Sequence, residues 1–222
     1  MFLDRFESLI GDDINKIKEL NILLIGIGGV GGYTFSSLVR SGVNNITIVD
    51  PDKFDITNLN RQILSNINNI GNYKVYEALK RAKEINPYIN ITVIKEFLDI
   101  NNIDIIFSSK FDYVIDACDT LNSKVLIIKK CKCENIKVIS CMGTARKLDA
   151  SKLSISKLNK TTYDKLAAVL RSKLSTEEQK YVTVVSSCEE VKANKELGST
   201  SYVPGVAGLL ITNYIINDVL KK

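Results

Sequence analysis

Apolar residues along the chain form short continuous runs that alternate with longer stretches of helical period. The runs NILLIG, NITIVD, ITVIKEF, DYVIDA and KVISCM have the length and β-branched content of buried strands. Between them, apolar residues at three- and four-residue steps predict helices near 30–41, 73–86 and 121–134. Such alternation is typical of a doubly wound, mainly parallel sheet, so we predict an α/β, Rossmann-like fold with a carboxy-terminal extension.

The rhythm changes after residue 142, where KLSISKLN, an amphipathic YDKLAAVLRSKL, a strand-like YVTVVSS and a final apolar helix follow one another. We therefore divide the chain into an amino-terminal arm and helix (1–20), a Rossmann-like core (21–141) and an extension (142–222) that completes the same domain. We expect the extension to form the substrate side and to contain a mobile loop at about 188–198. The final run, VPGVAGLLITNYIINDVL, is too short and too interrupted by Asn and Asp for a membrane span, and predicts a packed helix.

Composition narrows the chemistry. The 222 residues, of which 45% are hydrophobic and 25% charged, are typical of one globular domain. Five cysteines without a CxxC pair argue against a disulfide framework and a structural zinc, and favour the reducing cytoplasm. Histidine is absent, so Ser-His and Cys-His catalysis is excluded, and carboxylates, Lys, Arg and Mg²⁺ remain.

A glycine turn follows the first predicted strand. In GIGGVG, Gly26, Gly28 and Gly31 have the G-x-G-x-x-G spacing that lets a backbone approach phosphate at a helix amino terminus, with Gly29 beside them. Asp50 ends the next strand about 20 residues on, where an acid accepts hydrogen bonds from ribose hydroxyls. A glycine turn without a ligand is the alternative. The order of strand, turn, helix and acid favours nucleotide binding over it.

Polar residues further along distinguish ATP from NAD. An ATP site must neutralise phosphate charge with cations and a divalent ion, whereas a dehydrogenase needs an apolar slot and a proton carrier. Asp116 and Asp119 follow a later strand at the edge where parallel sheets bind ligands. Each residue also has an ordinary explanation, such as a solvated surface cation or a helix cap at Asp119. The candidate phosphate ligands are Asn58, Arg61, Gln62 and Lys74.

The series GIGGVG, IVDPD, NLNRQ, G-x-x-K and D-x-x-D, over roughly residues 5–141, resembles the ThiF/MoeB family, bacterial relatives of ubiquitin-activating enzymes. The resemblance implies a fold that binds Mg-ATP and adenylates a carboxylate. It implies that Asp50 holds ribose, that Gly28 and Gly29 lie near the α-phosphate, and that Asp119 holds Mg²⁺. Phosphate binding is implied for Asn58, Arg61, Gln62 and Lys74, and catalysis for Arg61, Lys74 and Asp119.

Within that family the extension resembles the tRNA threonylcarbamoyladenosine dehydratases (TcdA, also called CsdL), in LDASKLSISKLNKTTYDKLAAVLRSKL, VVSSCEE and GSTSYVPGVAGLLI. Sulfur-carrier adenylating members typically have two CxxC zinc pairs, which this chain lacks. The implied reaction adenylates the threonyl carboxylate of the modified adenosine, and its own carbamoyl group then closes a ring. Because that nucleophile belongs to the substrate, no catalytic thiol or histidine is required.

The implied partner is tRNA carrying threonylcarbamoyladenosine. The formal net charge of +5 permits a polyanionic partner. Within the extension Arg171 is the foremost candidate tRNA contact, followed by Lys165 and Lys173, although charge runs are commonly solvated faces. Further candidates are Lys147, Lys152, Lys157 and Lys160. The resemblance also implies a homodimer, to which Arg5 could contribute, and a cysteine desulfurase system for which Cys188 would be the acceptor, unless it is an ordinary loop thiol.

Three functions therefore remain open. The leading one is the tRNA-modifying dehydratase. The second is an adenylyltransferase that activates the carboxyl terminus of a ubiquitin-like sulfur carrier. The third is a non-catalytic nucleotide-binding or NAD-sensing protein, against which the combination of Arg61, Lys74 and Asp119 argues.

Overall fold

The computed structural model describes residues 2–190 and 198–221, so 191–197 of the predicted mobile loop lie outside the described residues. The described strands form one sheet with the order β3-β2-β1-β4-β5-β7-β6, in which β6 alone is antiparallel to its neighbour. This arrangement confirms the predicted α/β, mainly parallel fold. The strands are β1 (Asn21–Ile25), β2 (Asn45–Val49), β3 (Asn90–Ile94), β4 (Tyr113–Asp116), β5 (Lys137–Cys141), β6 (Leu153–Lys157) and β7 (Thr183–Ser187).

Helices cover both faces of this sheet. The three helices predicted from apolar periodicity are present within one or two residues of the expected bounds, as α3, α4 and α6. The short α5 and α8 were not predicted, because a helix of one or two turns gives too little periodicity to recognise. The helices are α1 (Asp4–Ile10), α2 (Ile14–Lys18), α3 (Gly29–Arg40), α4 (Lys74–Ile85), α5 (Ile103–Ile106), α6 (Leu121–Cys133), α7 (Lys165–Lys173), α8 (Thr176–Tyr181) and α9 (Tyr202–Leu220).

Successive side chains of the central strand β1 point alternately into two hydrophobic cores, one on each face of the sheet. Ile22 and Leu24 of β1 pack into the core formed with α3, α4 and α9, while Leu23 and Ile25 pack into the core formed with α6 and α7. Each of these four side chains is at most 3% exposed. A central strand buried on both faces explains why ILLI, residues 22–25, is a continuous apolar run.

The extension enlarges the same sheet. Strand β7 pairs parallel to β5, and β6 pairs antiparallel to β7. Strand β6 is therefore at the edge of the sheet, although it precedes β7 in the sequence. The YVTVVSS run that contains β7 was predicted to be strand-like, whereas KLSISKLN, which contains β6, was not assigned to an element. The order of the two strands in the sheet depends on long-range pairing that periodicity does not encode.

Helix α9 is long and apolar enough to cross a membrane, and 50% of its most apolar window is buried inside the protein. It packs closely on α3. A Cβ placed on Gly208 would lie 2.5 Å from the backbone oxygen of Val30, and the Thr34 hydroxyl donates to the Gly208 carbonyl at 3.1 Å. These contacts agree with the predicted packed helix.

Candidate active site

A cavity of about 530 Å³ opens at the carboxyl edge of the sheet. Loops after β1 to β5 all line it, through residues within 26–30, 50–52, 96–98, 117–120 and 142–145. The strand order reverses between β1 and β4, and ligands of open α/β sheets bind at such a switch point. The cavity brings together all the predicted nucleotide residues except Gly31, namely Gly26, Gly28, Gly29, Asp50, Asn58, Arg61, Gln62, Lys74 and Asp119.

The glycines of the turn differ in role: Gly26 and Gly31 allow close backbone packing, and Gly28 leaves the start of α3 open to a ligand. Gly26 has a φ of +93°, and a Cβ on Gly31 would lie 1.8 Å from the Gly26 carbonyl oxygen, so neither position accepts a side chain without backbone movement. Gly28 is the amino-terminal cap of α3, and no described side chain caps that end. The first N–H groups of α3 are therefore available to an anion in the cavity.

Asp50 stabilises the turn and faces the cavity at the same time. It is 5% exposed, and its carboxylate accepts the Ile27 N–H at 2.6 Å and the Asp52 N–H at 2.8 Å. Burial raises the pKa of the Asp50 carboxyl, and the Lys74 ammonium partly opposes this rise. A carboxylate fixed in this way can also accept ribose hydroxyls, as the sequence predicted.

Lys74 is 5% exposed, so it is not a solvated surface cation. Its Nζ donates to Asp52 Oδ2 at 2.8 Å. Asp52 was not predicted as a site residue, although it lies within the IVDPD motif. Its contact with Lys74 joins the loop after β2 to the first residue of α4. The pair holds the ammonium group at the cavity wall.

Residues 58–62 form a second polar wall. Asn58 Oδ1 accepts the Asp55 N–H at 3.0 Å, while Arg61 Nη1 donates to the Thr57 carbonyl at 2.8 Å. Gln62 is 7% exposed, and its Oε1 is a buried oxygen without a hydrogen-bond partner among the described residues. Buried polar atoms are nearly always satisfied, so this amide points to a group that a ligand would supply.

The two aspartates of the D-x-x-D motif have different roles. Asp119 is exposed, and the contact described for its carboxylate is with the Thr120 hydroxyl at 3.4 Å. Thr120, and not Asp119, occupies the N-cap position of α6, and its side chain makes no capping hydrogen bond. Asp116 is fully buried and accepts Lys124 Nζ at 3.1 Å on each oxygen. Only Asp119 of this pair is therefore free to meet a metal ion.

Lys124 was not identified from the sequence. Its Nζ also donates to the Cys141 carbonyl at 2.8 Å, and Ser140 Oγ donates to Asp116 at 2.5 Å. Burial alone would lower the pKa of Lys124, but the Asp116 carboxylate holds it above its usual value. This buried ion pair adjoins the turn that carries Asp119, because Asp116 also accepts the Cys118 N–H. A lysine eight residues after a strand-end aspartate gives no local signal of such pairing.

The cysteines near the cavity are not activated nucleophiles. Burial raises the pKa of the Cys141 thiol to about 12. Burial also raises the pKa of Cys118, and the Asp116 carboxylate, which accepts its thiol at 3.0 Å, adds to the rise. Thiolate is the reactive form, so neither group supplies a nucleophile near neutral pH.

The extension forms a further wall of the cavity, through Leu166 and residues 142–145. Lys147 was expected on the surface; instead it is 3% exposed and donates to Asp164 at 3.0 Å. Asp164 also caps α7 through the Ala167 N–H. The expectation for Lys147 was wrong because a long-range ion pair, invisible to local sequence, holds it inside.

The predicted tRNA contacts differ in environment. Lys165 and Lys173 are exposed, while Arg171 is partly buried, with Nη1 donating to the Thr161 carbonyl at 3.1 Å and to its hydroxyl. Arg171 thus anchors the segment before α7. Cys188 is exposed.

No group of three or more His, Cys, Asp or Glu that could hold a metal ion is found within 2–190 and 198–221. Mg²⁺ is commonly bound by one or two carboxylates together with substrate phosphates. The exposed Asp119 carboxylate, facing the cavity that Lys74 and the glycine turn also line, fits that mode of binding.

The sequence and the structure were compared with those of known proteins. Residues 4–221 match the ThiF family. A tRNA threonylcarbamoyladenosine dehydratase of Bacillus subtilis (strain 168) is 35% identical over 238 residues, covering 98% of this chain and 94% of the relative. The crystal structure of E. coli tRNA N6-threonylcarbamoyladenosine dehydratase, TcdA, in complex with ATP is similar with a TM-score of 0.92 at 28% identity, covering 96% of this chain and 91% of that one. A probable molybdopterin-synthase adenylyltransferase of Porphyra purpurea is 41% identical but covers 52% of this chain and 30% of the relative.

Proposed function

This chain belongs to the ThiF family, and we propose that it uses ATP to dehydrate threonylcarbamoyladenosine in tRNA. Likeness to the Bacillus subtilis dehydratase extends over nearly the whole of both chains, and this observation supports the activity above all others. The adenylyltransferase relative, in contrast, leaves almost half of this chain unmatched. The family predicted from the GIGGVG to D-x-x-D series is confirmed.

The reaction has two steps on one substrate. An oxygen of the threonyl carboxylate attacks the α-phosphorus of ATP, and the bond to pyrophosphate breaks to leave an acyl-adenylate. The carbamoyl group of the same nucleoside attacks the activated carbonyl carbon, and AMP leaves with the former carboxylate oxygen. Together the steps remove the elements of one water. Since nucleophile and electrophile share one nucleoside, proximity accounts for the absence of an activated thiol at Cys118 and Cys141.

Negative charge develops on the departing pyrophosphate, and cations fixed in a site of low water content stabilise it best. We assign this role to Lys74, which is held by Asp52 at 2.8 Å, and to Arg61, which is held through the Thr57 carbonyl. Asp119 would hold Mg²⁺, which when bound neutralises phosphate charge. Asp50 would orient the ribose, and Gln62 would satisfy its unpaired oxygen on the bound substrate.

Asp119→Asn tests the proposal. With ATP, Mg²⁺ and tRNA bearing threonylcarbamoyladenosine, the wild-type protein is expected to convert the nucleoside to a product lighter by one water, measured by digestion and mass spectrometry. Loss of the metal-binding carboxylate should lower turnover by about 10²-fold or more. Asp104→Asn is the matched control, because Asp104 is an exposed aspartate that pairs with Lys130 and does not line the cavity. Unchanged nucleoside mass with ATP-binding wild-type protein would reject the activity.

Activation of a ubiquitin-like sulfur carrier is the second candidate, since an adenylyltransferase relative shares the core. Pyrophosphate exchange that depends on the carboxyl terminus of such a carrier, in place of tRNA, would favour it. A protein that binds nucleotide without releasing pyrophosphate in either assay would be the non-catalytic alternative.

We also propose that the protein acts as a homodimer in the cytoplasm. Exposed apolar side chains near the site, such as Ile63 at 51% and Ile67 at 70%, suit burial by a second copy, and sedimentation equilibrium tests this. Arg5 is exposed and stays a candidate for reaching a neighbouring protomer's nucleotide. Cys188 stays the candidate thiol for exchange with a cysteine desulfurase.

A further inference from the structure

Two residues with a strained backbone lie close in sequence to Leu166 and residues 142–145, the part of the cavity lining that we call the substrate wall. Among the described residues, the non-glycine positions with positive φ are Asn135 at 55°, Arg146 at 63° and Tyr163 at 56°. Asn135 follows the end of α6, where left-handed residues are common. A bulky residue such as tyrosine is rare in this conformation, and such strain persists where the surroundings over-determine it, often at binding sites.

Buried anchors on both sides hold Tyr163 in place. Before it, Thr161 is 8% exposed and accepts Arg171 Nη1; after it, Asp164 is 5% exposed and accepts Lys147. Between these anchors the Tyr163 side chain is 67% exposed and makes no hydrogen bond with any described residue. The protein therefore fixes the backbone and presents an aromatic ring to solvent.

The Lys147–Asp164 ion pair brings Arg146 and Tyr163 to the same part of the surface, because each is the chain neighbour of one partner. We call Arg146 and Tyr163 the rim pair. Ala145 and Leu166, close to the two anchors in sequence, line the cavity, and Asp164 Oδ1 lies 3.9 Å from a Cβ built on the cavity residue Gly143. Arg146 is exposed without an ion pair to any described residue, while its N–H donates to the Gly198 carbonyl at 2.9 Å.

We propose that the rim pair binds the RNA strand beside the modified adenosine: Tyr163 stacks on an adjacent nucleobase, and Arg146 contacts a phosphate of the same segment. This rests on the proposed function. A nucleoside in a tRNA loop must leave its stack to place its threonyl carboxylate against ATP, which exposes the face of the neighbouring base. Unstacked bases in RNA are typically held on aromatic side chains, and phosphates on arginine.

Local charge agrees with RNA as the partner. Lys160 and Lys165 are exposed near Tyr163, on either side of the buried anchors Thr161 and Asp164. An aromatic ring among free cations is the arrangement that single-stranded nucleic-acid sites use, because the ring tolerates any base and the cations follow the backbone.

The experiment compares Tyr163→Ala, Tyr163→Phe and Tyr163→Gly with Tyr88→Ala in the full chain. Tyr88 is 93% exposed and precedes β3, at the opposite edge of the sheet, so it is the matched control for loss of a surface ring. The probe is a fluorescent anticodon stem–loop containing threonylcarbamoyladenosine. Its dissociation constant is measured by anisotropy and its dehydration by mass spectrometry, alongside ATP affinity.

Tyr163→Ala is expected to weaken stem–loop binding about tenfold, equivalent to about 1.4 kcal/mol, while Tyr163→Phe stays within about twofold of wild type. Tyr163→Gly separates stacking from strain, because glycine relaxes the positive φ but also lacks the ring; it should lose as much affinity as alanine. ATP affinity and the Tyr88→Ala variant should be unchanged. Arg146→Ala should reduce the salt dependence of log affinity by about 0.7 per lost phosphate contact.

Stem–loop affinity that is equal in Tyr163→Ala and Tyr88→Ala would overturn the proposal, as would wild-type affinity in Tyr163→Gly. The two levels of inference fail separately. If wild-type protein binds the stem–loop without dehydrating it, the proposed function fails, and the comparison of the Tyr163 and Tyr88 variants still decides the role of the rim pair. If wild-type protein does not bind the stem–loop, the rim pair has no such role.

Discussion

Lys124→Met isolates the contribution of the buried ion pair beneath the site. Lys124 and Asp116 are both 0% exposed, and methionine fills most of the lysine volume without its charge. The substitution leaves the Asp116 carboxylate buried, with the Ser140 hydroxyl and the Cys118 N–H and thiol as its remaining described donors. An uncompensated charge of this kind, rather than a cavity, is the main cost.

Removal of one partner from a buried ion pair costs about 3–5 kcal/mol. For a chain of 222 residues, each kcal/mol corresponds to about 2–4 °C, so the melting temperature should fall by about 6–20 °C. Because the folded-state pKa of Lys124 is raised, its contribution is present in full below the ordinary value of 10.5 and is lost as pH rises through the folded pKa. Measurement near neutral pH therefore captures all of it.

Urea unfolding of Lys124→Met, Asp116→Asn and the double variant completes a double-mutant cycle. The double variant should be more stable than the sum of the single losses predicts, by about 2 kcal/mol or more, because it buries no unpaired charge. Lys129→Met is the control, since Lys129 is an exposed lysine on the same helix, and should stay within about 0.5 kcal/mol of wild type.

Additive losses in the cycle, or a loss below about 1 kcal/mol for Lys124→Met, would refute the assignment of Lys124 as the counter-ion of Asp116. Activity gives an independent measure. Asp116 accepts the Cys118 N–H at 3.3 Å and so shapes the turn that carries Asp119. Lys124→Met should consequently raise the Mg²⁺ concentration required for half-maximal turnover, even at temperatures where the variant is folded.

Three further predictions concern packing, ligand binding and pH. Gly208→Ala should destabilise the protein by about 1–3 kcal/mol in urea unfolding, because the added Cβ would lie 2.5 Å from the Val30 carbonyl oxygen; Leu209→Ala, at an exposed position, is the control. ATP binding measured by calorimetry should weaken on acidification at a higher pH than for an ordinary aspartate, because burial raises the pKa of Asp50, and Asp50→Asn should bind about tenfold more weakly without that acid limb. The pKa of Asp218 is lowered by its Lys137 contact at 2.8 Å. The stabilising effect of Asp218 is therefore present above the ordinary value of 3.8 and is lost as pH falls through the folded pKa. Asp218→Asn should lower the melting temperature at neutral pH by a few degrees and should make the fall in melting temperature between neutral and acid pH smaller.

Local sequence was sufficient to predict that the glycine turn and Asp50 meet at one cavity. The glycine turn and Asp50 follow buried strands directly, and parallel strands end at a common edge, so their proximity follows from the strand pattern alone. The bounds of α3, α4 and α6 were predictable for the same reason, since each buries one periodic face.

Contacts between distant segments were not predictable. The sequence predicted Lys147 as a surface cation, but it pairs with Asp164 at 3.0 Å inside the protein. Nothing in the local sequence indicated that Lys124 pairs with Asp116. In both cases a charged side chain lies inside because its counter-ion is brought to it by the tertiary fold. Periodicity reports which residues are apolar, and it does not identify which charged residues are paired.

Lys147 and Arg171 make structural contacts, and this reduces the number of cations that the substrate wall can offer to tRNA. Lys147 pairs with Asp164 and Arg171 donates to Thr161, so two of the basic residues that the sequence would assign to tRNA instead fix residues 161–164. What remains on this wall for a substrate is Leu166 and residues 142–145 inside the cavity, with the rim pair and the exposed Lys160 and Lys165 outside it. An exposed ring with a few free cations around it suits the face of an unstacked base and its adjoining phosphates. Base stacking at Tyr163 therefore follows from the same buried contacts that remove Lys147 and Arg171 from the surface.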